Sequence, residues 1–287
     1  MSELLAAMER EGFDLTSDEG EQRAIAVLFG LLNQAQQKAM GIEFYVWITQ
    51  HDGRVRDSHA ERDDKIFRWD NPPEGGHPSQ DYGCRCYARP LGVEGYWERV
   101  SEGVETFAAD LGRWEGNVDH MYLDTDSNVT VGKGKLLPDA ESAAALPFRD
   151  RATNELAFAD EITIDFDLIS AMEGSQSRRA SYYEPFTHLY LPQSDIDRMV
   201  TEHMRKDFKA LLRQYPEFGN LPVSVQVALW DMIYNLGADG LAAFRLLRQA
   251  IEDGDWAEAA RQSHRIGPAE ERNQFVFDLF MDAAGEP

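Results

Sequence analysis

A helix that ends in a glycine and runs directly into a hairpin is the strongest constraint in this chain. Val104, Phe107, Ala108, Leu111 and Trp114 recur at the three-and-four spacing of a helical apolar face, and the pattern stops at Glu115-Gly116. From Tyr122 to Val131, short apolar pieces flank a polar Asp-Ser-Asn, the pattern of two strands joined by a turn. A helix and a hairpin so close in sequence pack beside each other. Glu115 then sits at the helix end, and Asp124 and Thr130 lie on the hairpin. Two carboxyl groups facing each other across a cleft are what glycoside hydrolysis needs: one protonates the leaving oxygen, the other serves a water or the anomeric carbon. Gly132 and Gly134 lack the side chains that would keep a sugar away from the backbone. Asp119 and Asp126 read as solvated surface.

The rest of the chain sorts into a β-containing part and a helical part. Thr16-Ser17-Asp18-Glu19 reads as a capping box for a helix ending near Gly41. Phe44 to Thr49 reads as a strand, residues 70 to 83 as a Pro- and Gly-rich loop, and Cys84 to Ala88 as a short strand. A boundary falls where patterning fades, giving domains 1–95 and 96–287. Ile162, Ile164, Phe166 and Leu168 alternate, which predicts a strand, with a helix lead-in as the other reading. Beyond Ser194, read as a helix cap, everything is helical: one helix from 194, a second stopping near Gly237, and more around 241–251, 255–264 and 269–282. The expected class is α+β. Trp230, Met232 and Phe244 read as core; Asn235, near a turn, is an amide suited to an N-acetyl group.

Composition excludes several functions. Hydrophobic residues make up 43% of the 287, enough to bury a core. Acidic residues number 51 against 28 basic, for a net charge of −23, which argues against nucleic-acid binding and against adhesion to anionic membrane surfaces. No apolar run is long enough to span a bilayer. The start, MSELLAAMEREGFDL, has neither a basic stretch nor a long apolar one, so no signal peptide is expected and synthesis is placed in the cytoplasm. The two cysteines, Cys84 and Cys86, are one residue apart, too tight for a relaxed disulfide.

The order Glu, Gly, Tyr-x-Asp-Thr and Thr-Val-Gly-x-Gly from 115 to 134 resembles the bacteriophage-type lysozymes, the muramidases of tailed phages. ALWDMIYNLGADGLAAF (228–244), GDWAEAA (254–260) and EERNQFVFDLF (270–280) resemble the helical lobe of the same family. The resemblance covers roughly residues 100 to 285 and is weak from 139 to 195. It implies a lysozyme-like fold with a hairpin lobe and a larger helical lobe. It also implies cleavage of the β-1,4 bond between N-acetylmuramic acid and N-acetylglucosamine, without metal or cofactor. By it Glu115 is the general acid, Asp124 positions or activates water, Thr130 supports it, and Arg272 stands beside the acid. Where the family has His after the second glycine, this chain has Lys135; the loss bears on a stabilising pair rather than on the chemistry.

VWITQHDGRVRDSHAERDDKIF (46–67) and HPSQDYGCRCYARP (77–90) resemble the Mu-F-like minor head proteins of phage head morphogenesis, through Trp47, Asp52, Arg54-Val55-Arg56, His59 and Cys84-Arg85-Cys86. Read as chemistry, His59, Asp63, Cys84 and Cys86, with His51 or His77 in reserve, are donors of the kind zinc takes. The plainer reading is two buried cysteines and surface histidines, and the two stand level. An open zinc position would permit hydrolysis, making the chain a bifunctional cell-wall enzyme with an amidase or peptidase half.

The combined expectation is a peptidoglycan hydrolase acting in the periplasm or cell wall of a target bacterium. Its carrier would be a phage particle or a secretion machine, with an antibacterial effector's immunity protein in the producing cell. The competing expectation is a virion structural protein whose lysozyme fold does no chemistry.

Overall fold

The computed structural model describes residue 12, residues 16–172 and residues 178–285. Apart from Gly12, the N-terminal stretch read above for targeting lies outside the described residues. The chain divides into two compact units: one reaches Ser101 and takes in Leu211–Pro222, the other comprises Glu102–Ala210 with Val223 onward. The class is α+β: among the described residues, three small antiparallel sheets stand beside extensive helix.

In the first unit, helix α1 (Asp18–Ala39) is capped by Ser17, whose hydroxyl accepts the Gly20 N–H at 3.1 Å. The cap is thus one residue later than the box read from Thr16, and Gly20 stands where a box needs Glu or Gln. Strand β1 (Phe44–Ile48) is buried along its whole length. It earns that by being central: after the short α2 (Asp57–Ala60), β2 (Ile66–Arg68) pairs on one side and β3 (Tyr87–Leu91) on the other. Cys84 and Cys86 therefore precede the strand instead of opening it. Gln37 fastens α1 to the sheet, donating to Ala88 O at 3.1 Å and accepting the Trp69 indole N–H at 3.1 Å. Helix α3 (Val93–Arg99) brings Tyr96 edge-on to Phe44, with centroids 5.1 Å apart.

The unit is completed from far along the chain. Asn220 accepts from Ile66 N at 2.8 Å and donates to Ile66 O at 2.7 Å, supplying β2 with the pairing a further strand would give. Tyr96 Oη receives Gly219 N–H and donates to Pro216 O. The expected boundary at 95/96 therefore differs from the compact unit in two ways, since α3 belongs with the first unit and so does residue stretch 211–222.

In the second unit, α4 (Ser101–Glu115) buries Val104, Phe107 and Leu111 and stops at Gly116, whose φ of 70° suits a residue without a Cβ. The hairpin follows: β4 (Val118–Leu123), β5 (Val129–Gly132) and β6 (Lys135–Leu136). Met121, Leu123, Val129 and Val131 form one core with Leu137, Phe148, Ile162, Ile169 and Ile196. Leu137 comes just before α5 (Ala140–Ala144) and Phe148 just before β7 (Arg149–Asp150), Ile162 and Ile169 lie on α6 (Ala159–Ser170), β8 (Leu189–Tyr190) adds Leu189, and Ile196 lies on α7 (Gln193–Gln214). Ser194 lies inside the first turn of α7 and not ahead of it.

The strand expected at 162–168 is a helix. Its buried positions are Ile162, Asp165 and Ile169, a three-and-four spacing, while Ile164 and Leu168 are exposed. Alternation misled because isoleucines fall on both faces. Asp165 is kept in the core by the Thr187 hydroxyl, and burial pushes its carboxyl above the usual range.

Helix α8 (Val223–Ala242) is buried at every position from Val225 to Ile233, as befits the central helix of a lobe. It breaks at Gly237, where φ is 69° and ψ 174°. Helices α9 (Arg245–Glu252), α10 (Trp256–Gln262) and α11 (Glu270–Gly285) follow, close to the predicted spans.

The helical register of α6 makes a sharp prediction. Ile162→Ala should destabilise the second unit by about 2–5 kcal/mol, and Ile164→Ala by no more than about 0.5 kcal/mol. Urea unfolding of the two variants checks it; equal losses would restore the strand.

Candidate active site

Glu115 is set by Arg272 and by the turn at Gly134. Its Oε1 lies 2.6 Å from Arg272 Nη1, and its side chain retains 24% of its exposure. Its Oε2 lies 3.1 Å from where a Cβ on Gly134 would stand, and Gly134 has φ +77°. The backbone of the β5–β6 turn therefore passes against the carboxylate in a way that only glycine allows. Tyr234, from α8, anchors that turn by donating its hydroxyl to Lys133 O at 2.7 Å. Burial raises the Tyr234 pKa, and the negative charge of Glu115 adds to it.

Asp124 opens the polar turn and fixes it. Its Oδ1 accepts the N–H groups of Asp126 at 2.9 Å and Asn128 at 2.8 Å. Its Oδ2 is left to Asn128 Nδ2 at 3.4 Å and the Thr130 hydroxyl at 3.5 Å. Thr130 is buried and also reaches Asn128 O at 3.3 Å. Both acids are felt by one residue: Tyr122, directly opposite Thr130 in the sheet, has its pKa raised by burial first and then by the charges of Glu115 and Asp124. Glu115 thus lies against Arg272 and Gly134, Asp124 lies beside Thr130, and the charge of both acids is felt on the hairpin. Beside it a cleft of about 330 Å³ is lined by Lys133, Gly134, Lys135, Ile196, His203 and Tyr234, among others.

Gly132 does not face that cleft. It is buried, and a Cβ there would meet Ile196 Cγ2 at 3.3 Å and Met199 Cε at 3.4 Å. Its lack of a side chain lets α7 pack on the hairpin, so the expectation that it admits a sugar is corrected to a packing role. Asn235 is exposed just before the break in α8. Trp230 and Met232 are core, as read, and Phe244 is half-buried.

Beneath Arg272 lies a feature that sequence reasoning missed. Asp231, in the middle of the apolar α8, accepts from Arg272 Nε at 3.0 Å and from Arg265 Nη1 at 2.6 Å. Side-chain exposure is 1% for Asp231, 0% for Arg265 and 7% for Arg272. Burial lowers the Arg265 pKa, and the charge of Asp231 opposes that shift. Asn273 Oδ1 and Arg272 O take further Arg265 donors. The carboxylate of Asp231 therefore offsets one buried guanidinium and aims the other at Glu115. The one sequence signal was a charge inside ALWDMIYNL, where an amphipathic reading had no place for it.

In the first unit, the structure brings His59, Cys84 and Cys86 together, all buried, with their donor atoms within 4.8 Å of one another. Asp63 is elsewhere: its carboxylate holds Thr49 N at 2.7 Å and His51 Nε2 at 2.6 Å. His77 is elsewhere too, its Nδ1 2.9 Å from the Tyr45 hydroxyl. The four-donor set containing Asp63 is therefore corrected to three residues.

Residues 19–89 match the family model described as Phage Mu protein F like protein. This Mu F-like segment contains His59, Cys84 and Cys86. An uncharacterized protein of Haemophilus influenzae is 46% identical over 61 residues, covering 21% of this chain and 14% of that protein. The chain thus spans about a seventh of that relative's length. A protein described as probable T4-type lysozyme 2, from Dictyostelium discoideum, is 26% identical over 146 residues, covering 51% of this chain and 74% of its own length. About half of the chain is thus distantly similar to a T4-type lysozyme, and residues 19–89 are similar to Phage Mu protein F.

The buried charges make a stability prediction. Asp231→Asn leaves the buried Arg265 without a counter-ion and Arg272 with Glu115 alone, and should cost about 3–5 kcal/mol. Glu115→Gln, at the partly solvated end, should cost no more than about 1 kcal/mol. Urea midpoints of the two variants test the order; a reversal would mean that Arg265 and Arg272 find other acceptors.

Proposed function

We propose that the second unit is a muramidase that cleaves the β-1,4 bond of peptidoglycan between N-acetylmuramic acid and N-acetylglucosamine. The observation that carries the reading is the pairing of Glu115 with Arg272 at the helix end, together with an Asp124–Thr130 pair on the following hairpin, whose Tyr122 feels the charge of both acids. The distant likeness to a T4-type lysozyme supports it.

In this reading Glu115 is the general acid. Arg272 holds Oε1, so a proton carried on Oε2 can be given to the glycosidic oxygen while the Arg272 contact persists. Asp124 has one oxygen committed to the turn and the other turned to Thr130. It positions a water for attack on the anomeric carbon, with the Thr130 hydroxyl as a second anchor. Whether the sugar inverts follows from the carboxyl separation, about 6.5–9.5 Å for inversion and about 5–5.5 Å for retention, and is read from the anomer first released. The glycan strand would run along the cleft between the 133–136 turn and α7, where Lys135 adds a positive charge while Lys133 is paired with Asp197 at 3.3 Å. No metal or cofactor enters this chemistry. The Mu F-like segment would attach the enzyme to a phage-like particle or secretion machine for delivery to a target envelope, and an immunity protein would guard the producing cell.

Purified peptidoglycan digested by the wild type should yield new reducing ends at N-acetylmuramic acid by mass spectrometry. Glu115→Gln should lower that rate at least ~100-fold while far-UV circular dichroism stays unchanged. Wild-type protein that releases no muropeptides sinks the enzyme reading. Gly134→Ala should also reduce the rate, by up to ~100-fold, because the new methyl displaces the Glu115 carboxylate. Full activity in Gly134→Ala would show that the approach of this turn does not matter to the chemistry.

A further inference from the structure

The cluster at His59, Cys84 and Cys86 has geometry that a buried hydrophobic patch would not need. Each residue keeps only 4% of its exposure. His59 Nδ1 is 3.7 Å from Cys86 Sγ, and every pair of donor atoms in the trio falls within 4.8 Å. Tetrahedral zinc, with bonds of about 2.3 Å to sulfur and about 2.0–2.1 Å to nitrogen, places neighbouring donors about 3.5–3.8 Å apart. The trio is close to that spacing without a bridging bond, and both cysteines are free thiols.

The surroundings point the same way. His59 Nε2, the nitrogen turned away from the thiols, lies 3.3 Å from Asp81 Oδ2. A carboxylate there keeps the proton on Nε2 and leaves the Nδ1 lone pair for a metal, the arrangement that orients a ligating histidine. Asp81 is itself held by Arg56 and by the Tyr82 N–H at 2.7 Å. The Ser79 N–H points at Cys84 Sγ at 3.3 Å, a donor that suits a metal-bound thiolate. The cluster opens onto a small groove lined by Gln50, Arg54, Arg56, Gly83 and Arg85, with a volume of about 20 Å³. That is room for one water-sized group.

We propose that His59 Nδ1 and the thiolates of Cys84 and Cys86 bind a zinc ion, that Asp81 braces His59 from outside the coordination sphere, and that the fourth position is open to water or a small anion in the arginine-lined groove. Two thiolates and a neutral imidazole balance the ion's double charge, so the buried complex is neutral, and two thiol protons leave as it forms. The soft donor pair favours zinc over magnesium or calcium. Asp63 has no part in the site. The groove is too small for a peptide chain, so the ion organises the loop 77–86 against α2 and does not cleave peptide bonds. The proposal is independent of the muramidase reading, which concerns other residues.

The full chain, purified without chelator, should carry about one equivalent of zinc by plasma mass spectrometry. Stripped under reductant and titrated with Co²⁺, it should develop sulfur-to-cobalt charge-transfer bands and the visible bands of four-coordinate cobalt. Cys84→Ser and Cys86→Ser should each lose charge-transfer intensity. Asp63→Ala should retain full stoichiometry. Asp81→Asn, with all three ligands in place, should weaken Co²⁺ affinity about 10–100-fold, an effect loss of packing would not produce. Less than about a tenth of an equivalent of metal, together with no charge-transfer bands in wild type at excess Co²⁺, would overturn the site. So would a Cys84–Cys86 disulfide in freshly purified protein, or loss of metal in Asp63→Ala. The wild-type titration decides the matter even where a cysteine variant fails to fold.

Discussion

The buried carboxylate of Asp231 is the interaction on which the second unit turns. An apolar helix buried on all sides has no solvent to stabilise a charge, so Asp231 is tolerable only with partners, and it has two. Arg265 gives it neutralisation; Arg272 links it to Glu115. The chain Arg265–Asp231–Arg272–Glu115 runs from a fully buried guanidinium to a partly solvated acid. A buried ion network of this kind is seldom the most stable way to fill a core. It makes geometric sense as a means of holding one carboxylate at a fixed place and angle, because Asp231 grips Arg272 at Nε while Nη1 of the same rigid guanidinium meets Glu115. The fold then completes the setting with Gly134, which presses bare backbone against the same carboxylate.

The first unit depends on a different constraint. A central strand of five apolar residues has to be covered on both faces and paired on both edges, and the local sequence supplies only part of this. Gln37 reaches from α1 to hold Ala88 and Trp69, and Asn220 supplies Ile66 with both a donor and an acceptor from more than a hundred residues away. Side-chain amides used in this way replace backbone partners that a larger sheet would have provided. The cluster of His59 and the two cysteines sits among the loops that flank this sheet, a place where a small unit gains from an added tie.

Much of the architecture was legible because it was local. The stripe from Val104 to Trp114, the turn around Asp124 and the helices beyond 193 are set by spacing and by turn residues, which act over a few positions. The segment at 162–169 failed for the same reason it looked clear: Ile164, Phe166 and Leu168 alternate by residue type, but burial follows Ile162, Asp165 and Ile169. A polar residue in the buried register hid the helix. Gly132 was misjudged because a positive φ serves equally for ligand approach and for helix packing, and Ile196 and Met199, which decide between them, lie more than sixty residues away.

The sequence by itself determined the helix-to-hairpin junction, and with it the place of Glu115 at the helix end and of Asp124 and Thr130 at the hairpin, because spacing and turn residues act locally. It also determined the chemical types near Cys84 and Cys86. Only the tertiary structure decided which distant groups complete each site: Asp231 and Arg265 behind Arg272, Asp81 and not Asp63 beside His59, and residues 211–222 in the first unit. Such choices rest on burial. A charge or amide far from water takes whichever partner the packing brings within reach, and no short-range pattern in the chain records that partner.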